Sequence, residues 1–419
     1  MRLSLTDVAV LSVVVCLGSG AQCFNPGPQM FGKTVDWQQR TVATVGVANS
    51  RPTVVEVNDF DGDTRLDIVA GFQGDGVTLP SVFIFFQDDV DNFTAVEIGS
   101  HADLSGVIAL AVGDLDNDTH DDVVAACDGR IIYFNSPNVP RTAAGWAFTT
   151  IAESDDAGTG QWNDVAIGSI DAANGLDIVA SNEGNDWLSW FVNPGNAANG
   201  TGWTRVHIDA TTRNASAGLA LSDIDGDGDT DVFSVAPSET AARVAWYGNP
   251  AAPAVDAWTK TTIGNLSGAN RVAVGDLDND GDGDLVVTST VLTGGTGRII
   301  GWYQHPVTAT TAWSGYELTR YTSASLGPPV PTDVKVADVD GDSQLDVIVA
   351  TETAGTLRWF IPVGQQANPW GENNIRDLTE DIGRIAVGDI DGDGRPDVVA
   401  PLQAATTAQD TIAWFENPE

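Results

Sequence analysis

The sequence predicts an all-β fold, a seven-bladed β-propeller of four-stranded blades whose last blade is closed by the N-terminal strand, on three observations. An acid-rich loop of nine residues recurs seven times, beginning at Asp59, Asp114, Ser169, Asp223, Asp276, Asp338 and Asp389. Successive starts lie 55, 55, 54, 53, 62 and 51 residues apart, so units of similar size fill residues 36–419. Around each loop the same order of apolar and aromatic runs returns, as expected of one supersecondary unit stacked on its copies.

Each unit opens with a short alternating strand, such as "RVAVG" or "RIAVG", that leads into the loop, and an apolar strand such as "DIVAG", "DVVAA" or "DVIVA" leaves it. An aromatic strand follows: "FIFF", "IIYF", "LSWF", "VAWY", "IGWY", "LRWF" and "IAWF", with Pro194, Pro250, Pro306, Pro362 and Pro418 soon after five of them. A fourth strand is opened by Phe93, Trp146, Trp203, Trp258, Trp313 or Trp370. Seven such units fit propeller blades stacked face to face. The last unit stops after its third strand, and "DWQQRTVAT" (36–44), with Trp37 at the matching place, supplies the fourth and leaves no open sheet edge. Trp190, Trp246, Trp302, Trp359 and Trp414, with Phe85 and Tyr133 in their place in units one and two, are read as blade-to-blade core. A position filled in every copy answers a packing requirement.

Composition agrees. Among 419 residues there are 45 Gly, 13 Trp and only three Lys (Lys33, Lys260 and Lys335), which favours strands and turns over helices. The formal net charge of −39 excludes nucleic acid and anionic membrane surfaces as partners. Residues 1–21, with Arg2, an apolar run from Val8 to Leu17 and small residues at Ser19 and Ala21, read as a secretory signal, followed by a short segment, 22–35. No other stretch approaches 18 apolar residues, so no membrane insertion is expected of a secreted, monomeric protein. After cleavage Cys23 and Cys127 remain, too few for disulfides to organise the fold, and their pairing is left open. Sequons stand at Asn92, Asn117, Asn199, Asn214 and Asn265, of which Asn117, inside an acidic loop, is expected bare.

The chemistry is concentrated in the loops. In "DIDGDGDTD" (223–231) five carboxylates fall within nine residues with no Lys or Arg among them. Two unit charges 4 Å apart repel by about 4 kcal/mol at an effective dielectric near 20, so such a loop needs a cation or must splay open. Alternate hard oxygens, Gly at the sharp turn and a final carboxylate meet the demands of calcium. Asp223, Asp225 and Asp227 would supply side-chain oxygens, Asp229 a backbone carbonyl and Asp231 a bidentate close. An EF-hand closes at position 12 and continues as a helix, whereas this loop closes at position 9 and continues as the strand "VFSVA". The same positions are filled by Asp59, Asp61, Asp63, Arg65 and Asp67, and by Asp114, Asp116, Asp118, His120 and Asp122. They recur as Asp276, Asp278, Asp280, Asp282 and Asp284, then as Asp338, Asp340, Asp342, Gln344 and Asp346, and last as Asp389, Asp391, Asp393, Arg395 and Asp397. In unit three Ser169 and Ala173 replace two ligands, and no site is expected there.

The repeated "VAVGDLDNDGDGDLVV" and "IAVGDIDGDGRPDVVA" resemble the FG-GAP or VCBS repeats of the integrin-α propeller and of many secreted bacterial and algal proteins, over residues 36–419. The resemblance implies calcium in the hairpin between the first two strands of a blade, on the face called the bottom, with about six ions per chain. It does not specify an activity. No Gly-x-Ser-x-Gly, HExxH or phosphate loop is found, and His101, His120, His207 and His305 fall in different units. The expected function is a binding or adhesion module for carbohydrate or an extracellular protein. A polysaccharide-active lyase or hydrolase and a ligand-free scaffold are the alternatives. Unit three also carries Trp162 and Trp187, the two Trp outside the repeated positions. With Asn163, Glu183 and Asp186 they are the candidate ligand-stacking site, on the top face, and a core role for both Trp is the competing expectation.

Overall fold

The computed structural model describes residues 36–44, 51–74, 79–100, 104, 106–153, 160–182, 187–195, 201–210, 217–237, 243–291, 298–306, 312–321, 329–352, 355–362, 370–404 and 410–418. The predicted signal, the segment 22–35, Cys23 and His101 lie outside them. By compactness the chain divides into Met1–Asp36 and Trp37–Glu419, and the propeller is the second unit.

The N-terminal strand is β1 (Gln38–Thr44). Blade one is β2 (Pro52–Asn58), β3 (Asp67–Phe72), β4 (Ser81–Asp89) and β5 (Asn92–Ser100). Blade two is β6 (Ala109–Gly113), β7 (Asp122–Cys127), β8 (Arg130–Asn135) and β9 (Ala147–Glu153); blade three is β10 (Trp162–Gly168), β11 (Asp177–Asn182), β12 (Trp187–Val192) and β13 (Thr204–Asp209). Blade four is β14 (Leu219–Ser222), β15 (Asp231–Val235), β16 (Val244–Gly248) and β17 (Thr259–Gly264); blade five is β18 (Ala269–Gly275), β19 (Asp284–Ser289), β20 (Arg298–Gln304) and β21 (Ser314–Tyr321). Blade six is β22 (Val330–Ala337), β23 (Asp346–Glu352), β24 (Thr356–Ile361) and β25 (Gly371–Asp377); blade seven is β26 (Asp381–Ile382), β27 (Ala386–Gly388), β28 (Asp397–Gln403) and β29 (Thr411–Glu416). Each of the first six blades is an antiparallel meander in chain order, and β1 joins blade seven beside β29, Arg40 opposite Trp414. The predicted closure by residues 36–44 is therefore observed.

The first strands of successive blades touch in turn, β2 with β6, β6 with β10, β10 with β14, β14 with β18, β18 with β22, β22 with β27 and β27 with β2, so the ring is closed. Its seam explains why the first strand of blade seven is interrupted. Arg384 turns away from its own sheet and bonds blade one, its N–H to Thr53 O at 2.8 Å and its carbonyl accepting from Val55 N at 3.2 Å. Gly383 is required there, because a Cβ would stand 2.3 Å from Thr53 O.

Burial follows the sequence pattern. The second strands, such as β3, β7 and β19, are buried along their whole length, which is why they read as unbroken apolar runs. The third-strand aromatics fill the spaces between blades: Trp246 packs with Trp313 of the next blade, and Tyr133 with Trp162 and Phe191. In blade one the register corrects an expectation. The residue two after the closing Asp faces the aromatic position, Val124 opposite Tyr133 and Val179 opposite Trp190, and Val69 faces Ile84, not Phe85. The run "FIFF" offered aromatics on both sides of that place, and strand pairing selects the aliphatic residue between them.

Candidate metal centres and the axial channel

Every acidic loop is folded by its own carboxylates. In blade one Asp59 Oδ1 accepts from Gly62 N at 2.8 Å and Asp63 N at 3.0 Å, and its Oδ2 from Thr64 N at 2.8 Å. Asp223 does the same for Gly226 and Gly228, and Asp389 for Gly392, Asp393 and Gly394. This wrapping forces positions four and six into the left-handed region, φ 72° at Gly226 and 95° at Gly228, where Gly carries no Cβ penalty. The apolar second residue, Phe60, Leu115, Ile170, Ile224, Leu277, Val339 or Ile390, is buried and pins the loop to the blade.

The geometry gathers positions one, three and nine. Asp59 with Asp61 and Asp67, Asp114 with Asp116 and Asp122, Asp223 with Asp225 and Asp231, Asp276 with Asp278 and Asp284, and Asp338 with Asp340 and Asp346 each bring three carboxylate oxygens within 4.8 Å of one another. The loop at Asp389 has the same hydrogen bonds, Ile390 N to Asp397 Oδ2 at 2.9 Å among them. These oxygens fit a hard cation. Asp116, Asp278 and Asp346 each bury an Oδ1 that no donor meets, and burial pushes the closing carboxyls of Asp67, Asp122, Asp284, Asp346 and Asp397 up to about 7. A bound divalent ion would supply the charge that holds them ionised.

Other predicted ligands stand apart from these triads. Asp63 is held by the guanidinium of Arg65, Asp118 by His120 Nδ1 at 3.1 Å and Asp393 by Arg395. In blade one the connection from blade two also inserts Arg141, which contacts Asp61 and bonds Asp88 at 2.5 Å. Blade three keeps the turn with only Asp171 and Asp177, Ala173 N bonding Asp171 Oδ1 at 2.8 Å.

The closing Asp has a second task that the loop motif does not reveal. Asp231 Oδ1 accepts from Asn249 N at 2.7 Å, and the Asn249 side chain donates to Thr230 O and, in the preceding blade, to Ile170 O at 2.7 Å. Asn193 reaches Leu115 O, Asn417 reaches Val339 O and Gln87 reaches Ile390 O in the same manner, so amides tie the bottoms of neighbouring blades together. The Asn-Pro pair after three of the aromatic strands is the sequence signal for it. In blade six Pro362 stands there without an N–H, and Asp346 Oδ1 has no partner.

The candidate stacking site is not assembled as expected. Trp162 begins β10 and is fully buried, its ring edge-on to Phe191 at 5.7 Å in the core between blades two and three. Trp187 begins β12, half-buried between the Arg205 guanidinium and the His207 ring, each 4.8 Å away. Both Trp are cross-strand partners of Asn182, so their proximity was correctly read, but Trp162 offers no face to a ligand. Asn163 is half-buried in β10, and Glu183 and Asp186 lie outside the described residues.

The unforeseen feature is the axis. Five residues before each loop start, in the first strand or directly beside it, stand Val54, Ala109, Asp164, Gly218, Arg271, Asp333 and Arg384, an equivalent place in all seven blades. The four charged members line an axial cavity of about 260 Å³ together with Glu56 and Lys335, which pair at 3.1 Å. Arg384 Nη1 donates to Asp164 Oδ1 at 2.7 Å, and Asp333 Oδ2 accepts from Ile385 N at 3.1 Å. Above it lies a second cavity of about 360 Å³ lined by amides, hydroxyls and charges of both signs. Alignment of the repeats at that offset is the signal that would have exposed these residues.

Fold and loops together define a repeat propeller whose acidic loops could hold metal ions. An FG-GAP-like repeat model matches residues 223–287 and 319–400, and the chain carries FG-GAP-like repeats. Among solved structures the chain is similar to an Agrocybe aegerita lectin that recognises non-reducing terminal N-acetylglucosamine, at 12% identity and a TM-score of 0.52, over 80% of this chain and 83% of that one. It also aligns with the K499G mutant of the NanB sialidase from Streptococcus pneumoniae, at 12% identity and a TM-score of 0.46, over 90% of this chain and 70% of that one. The first likeness shows the fold alone, and the second is too distant to support an argument. No curated protein matches the sequence.

Proposed function

We propose that the chain is a secreted, calcium-stabilised propeller that binds carbohydrate. The observation that carries this reading is the upper axial cavity, about 360 Å³ and lined by Asn270, Gln73, Gln403, Thr53 and Thr332 among charged neighbours. Convergent amides, hydroxyls and charges in a concave site are suited to a polyhydroxylated ligand, whose many hydroxyls each need a donor or acceptor. A lectin on the same fold supports it. Calcium at the bottom loops would act on stability and leave the opposite end of the axis free to bind. A glycan array probed in calcium and again in chelator, with reducing-sugar release followed on the same glycans, tests this. Selective binding without product formation is expected; no retention of any glycan, by a protein shown to be folded, would overturn it.

A further inference from the structure

The two axial cavities share two lining residues, Arg271 and Arg384, so these two arginines border both. They are not equally satisfied. Arg384 donates to Asp164 at 2.7 Å. Arg271 spends Nη1 on the carbonyl of its neighbour Asn270 at 3.2 Å, its Nε is buried without a partner, and among the described residues no carboxylate is in ion-pair reach of it. Asp164 and Asp333 act on it only through space, and burial, reinforced by the like charge of Arg384, lowers its pKa to about 10. Arg271 is half-buried, a direct partner would offset the cost of its partial desolvation, and a planar guanidinium fork matches a carboxylate best.

The rest of the upper cavity restricts what that partner can be. Arg51 stands at the same wall in a left-handed conformation, φ 47°, rare for a residue other than Gly and fixed by its N–H to Asp410 Oδ2 at 2.9 Å. Strain of this kind is found where a side chain must be aimed. Glu352 and Asp381 also line the cavity and would repel a second negative charge while accepting from hydroxyls. A volume of about 360 Å³ is at the low end for small-ligand sites and suits one sugar ring.

We propose that the upper axial cavity binds the carboxylate of an acidic monosaccharide, a uronic acid free or at the end of a glycan, with Arg271 as its direct partner. This rests on the carbohydrate reading and names the sugar class. Glucuronate, galacturonate, glucose, galactose, glucose 6-phosphate and acetate would be titrated into the calcium-loaded full chain. Calorimetry gives affinity, and the Nε–Hε resonance of Arg271, assigned in the wild-type protein, reports contact without a mutation. A uronate is expected to move that resonance and to bind at least about tenfold more tightly than its neutral sugar, the loss expected for a hydrogen bond to a charged group. Arg271→Met should weaken uronate binding by about as much and so remove its preference over the neutral sugar, with Arg271→Lys between the two. An unmoved Arg271 resonance, equal affinity for uronate and neutral sugar, or an acetate or phosphate-ester response as large as that of uronate would each overturn the assignment. Any of these with glycan binding retained leaves the carbohydrate reading standing, whereas loss of all glycan binding would remove both.

Discussion

Replacing Asn249 by Ala removes a side chain that holds two blades together without touching a metal ligand directly. Its amide donates to Ile170 O at 2.7 Å and Thr230 O at 2.9 Å, and the residue is 7% exposed, so water cannot replace it without rearrangement. Two hydrogen bonds of about 1 kcal/mol each, with some penalty for the carbonyls left behind, give a loss of about 2–3 kcal/mol. Unfolding entropy near 2.1 cal/mol/K per residue over roughly 380 residues is about 0.8 kcal/mol/K, so Tm should fall by about 3 °C. Asn249→Asp is nearly isosteric but sets an oxygen against two carbonyls, and should fall further than Ala. Scanning calorimetry in saturating calcium measures both. An Asp variant as stable as wild type, or an Ala variant within about 1 °C of it, would refute the bridging role.

Deletion through Thr44 removes β1 and leaves β29 as an open edge; the truncated chain should melt lower and self-associate, and an equally stable monomer by light scattering would contradict the closure. Trp162→Ala should cost about 3–5 kcal/mol, the range for emptying a buried aromatic site, whereas Trp187→Ala, at a half-buried place, should cost less than half as much. Equal losses in denaturant titration would show that the two sites are packed alike. In excess chelator the closing carboxyls near 7 hold protons that an unfolded chain has released above about pH 4. The folded state then binds more protons across that window, so chelated stability should fall as pH rises from 4 to about 7. Calcium should restore more at pH 8 than at pH 5, and a chelated Tm that rises or stays level over the window would count against buried, unneutralised loops.

The fold was legible because each repeat states it again: seven acidic loops at similar spacing and an aromatic strand after each outweigh ambiguity in any one strand. Phe85 shows the limit, since "FIFF" does not say which residue faces Val69, and only pairing decides. Trp162 lies in "TGQWND", a stretch that reads as the connection between the fourth strand of one blade and the first of the next, yet β10 begins at that Trp and buries it against Phe191. The metal triads were legible in part. Spacing identified positions one, three and nine, but not that Arg65, Arg395 and His120 would draw the fifth-position Asp aside, or that Arg141 would reach Asp61 from the next blade. The axial charges were hidden for a different reason. Asp164, Arg271 and Asp333 each lie in an unremarkable strand and Arg384 in the break between β26 and β27, and their meaning is in the ring that brings residues some 50 to 220 positions apart together.

Metal analysis of the desalted protein, with Tm recorded before and after chelation, tests the calcium-stabilised propeller most directly. Five three-carboxylate groups among the described residues, with the like-folded loop at Asp389, predict about six calcium ions per chain and a large loss of Tm in chelator, since each site occupied at 100 times its Kd contributes about 2.7 kcal/mol. Two ions or fewer, or a Tm indifferent to chelator, would contradict it.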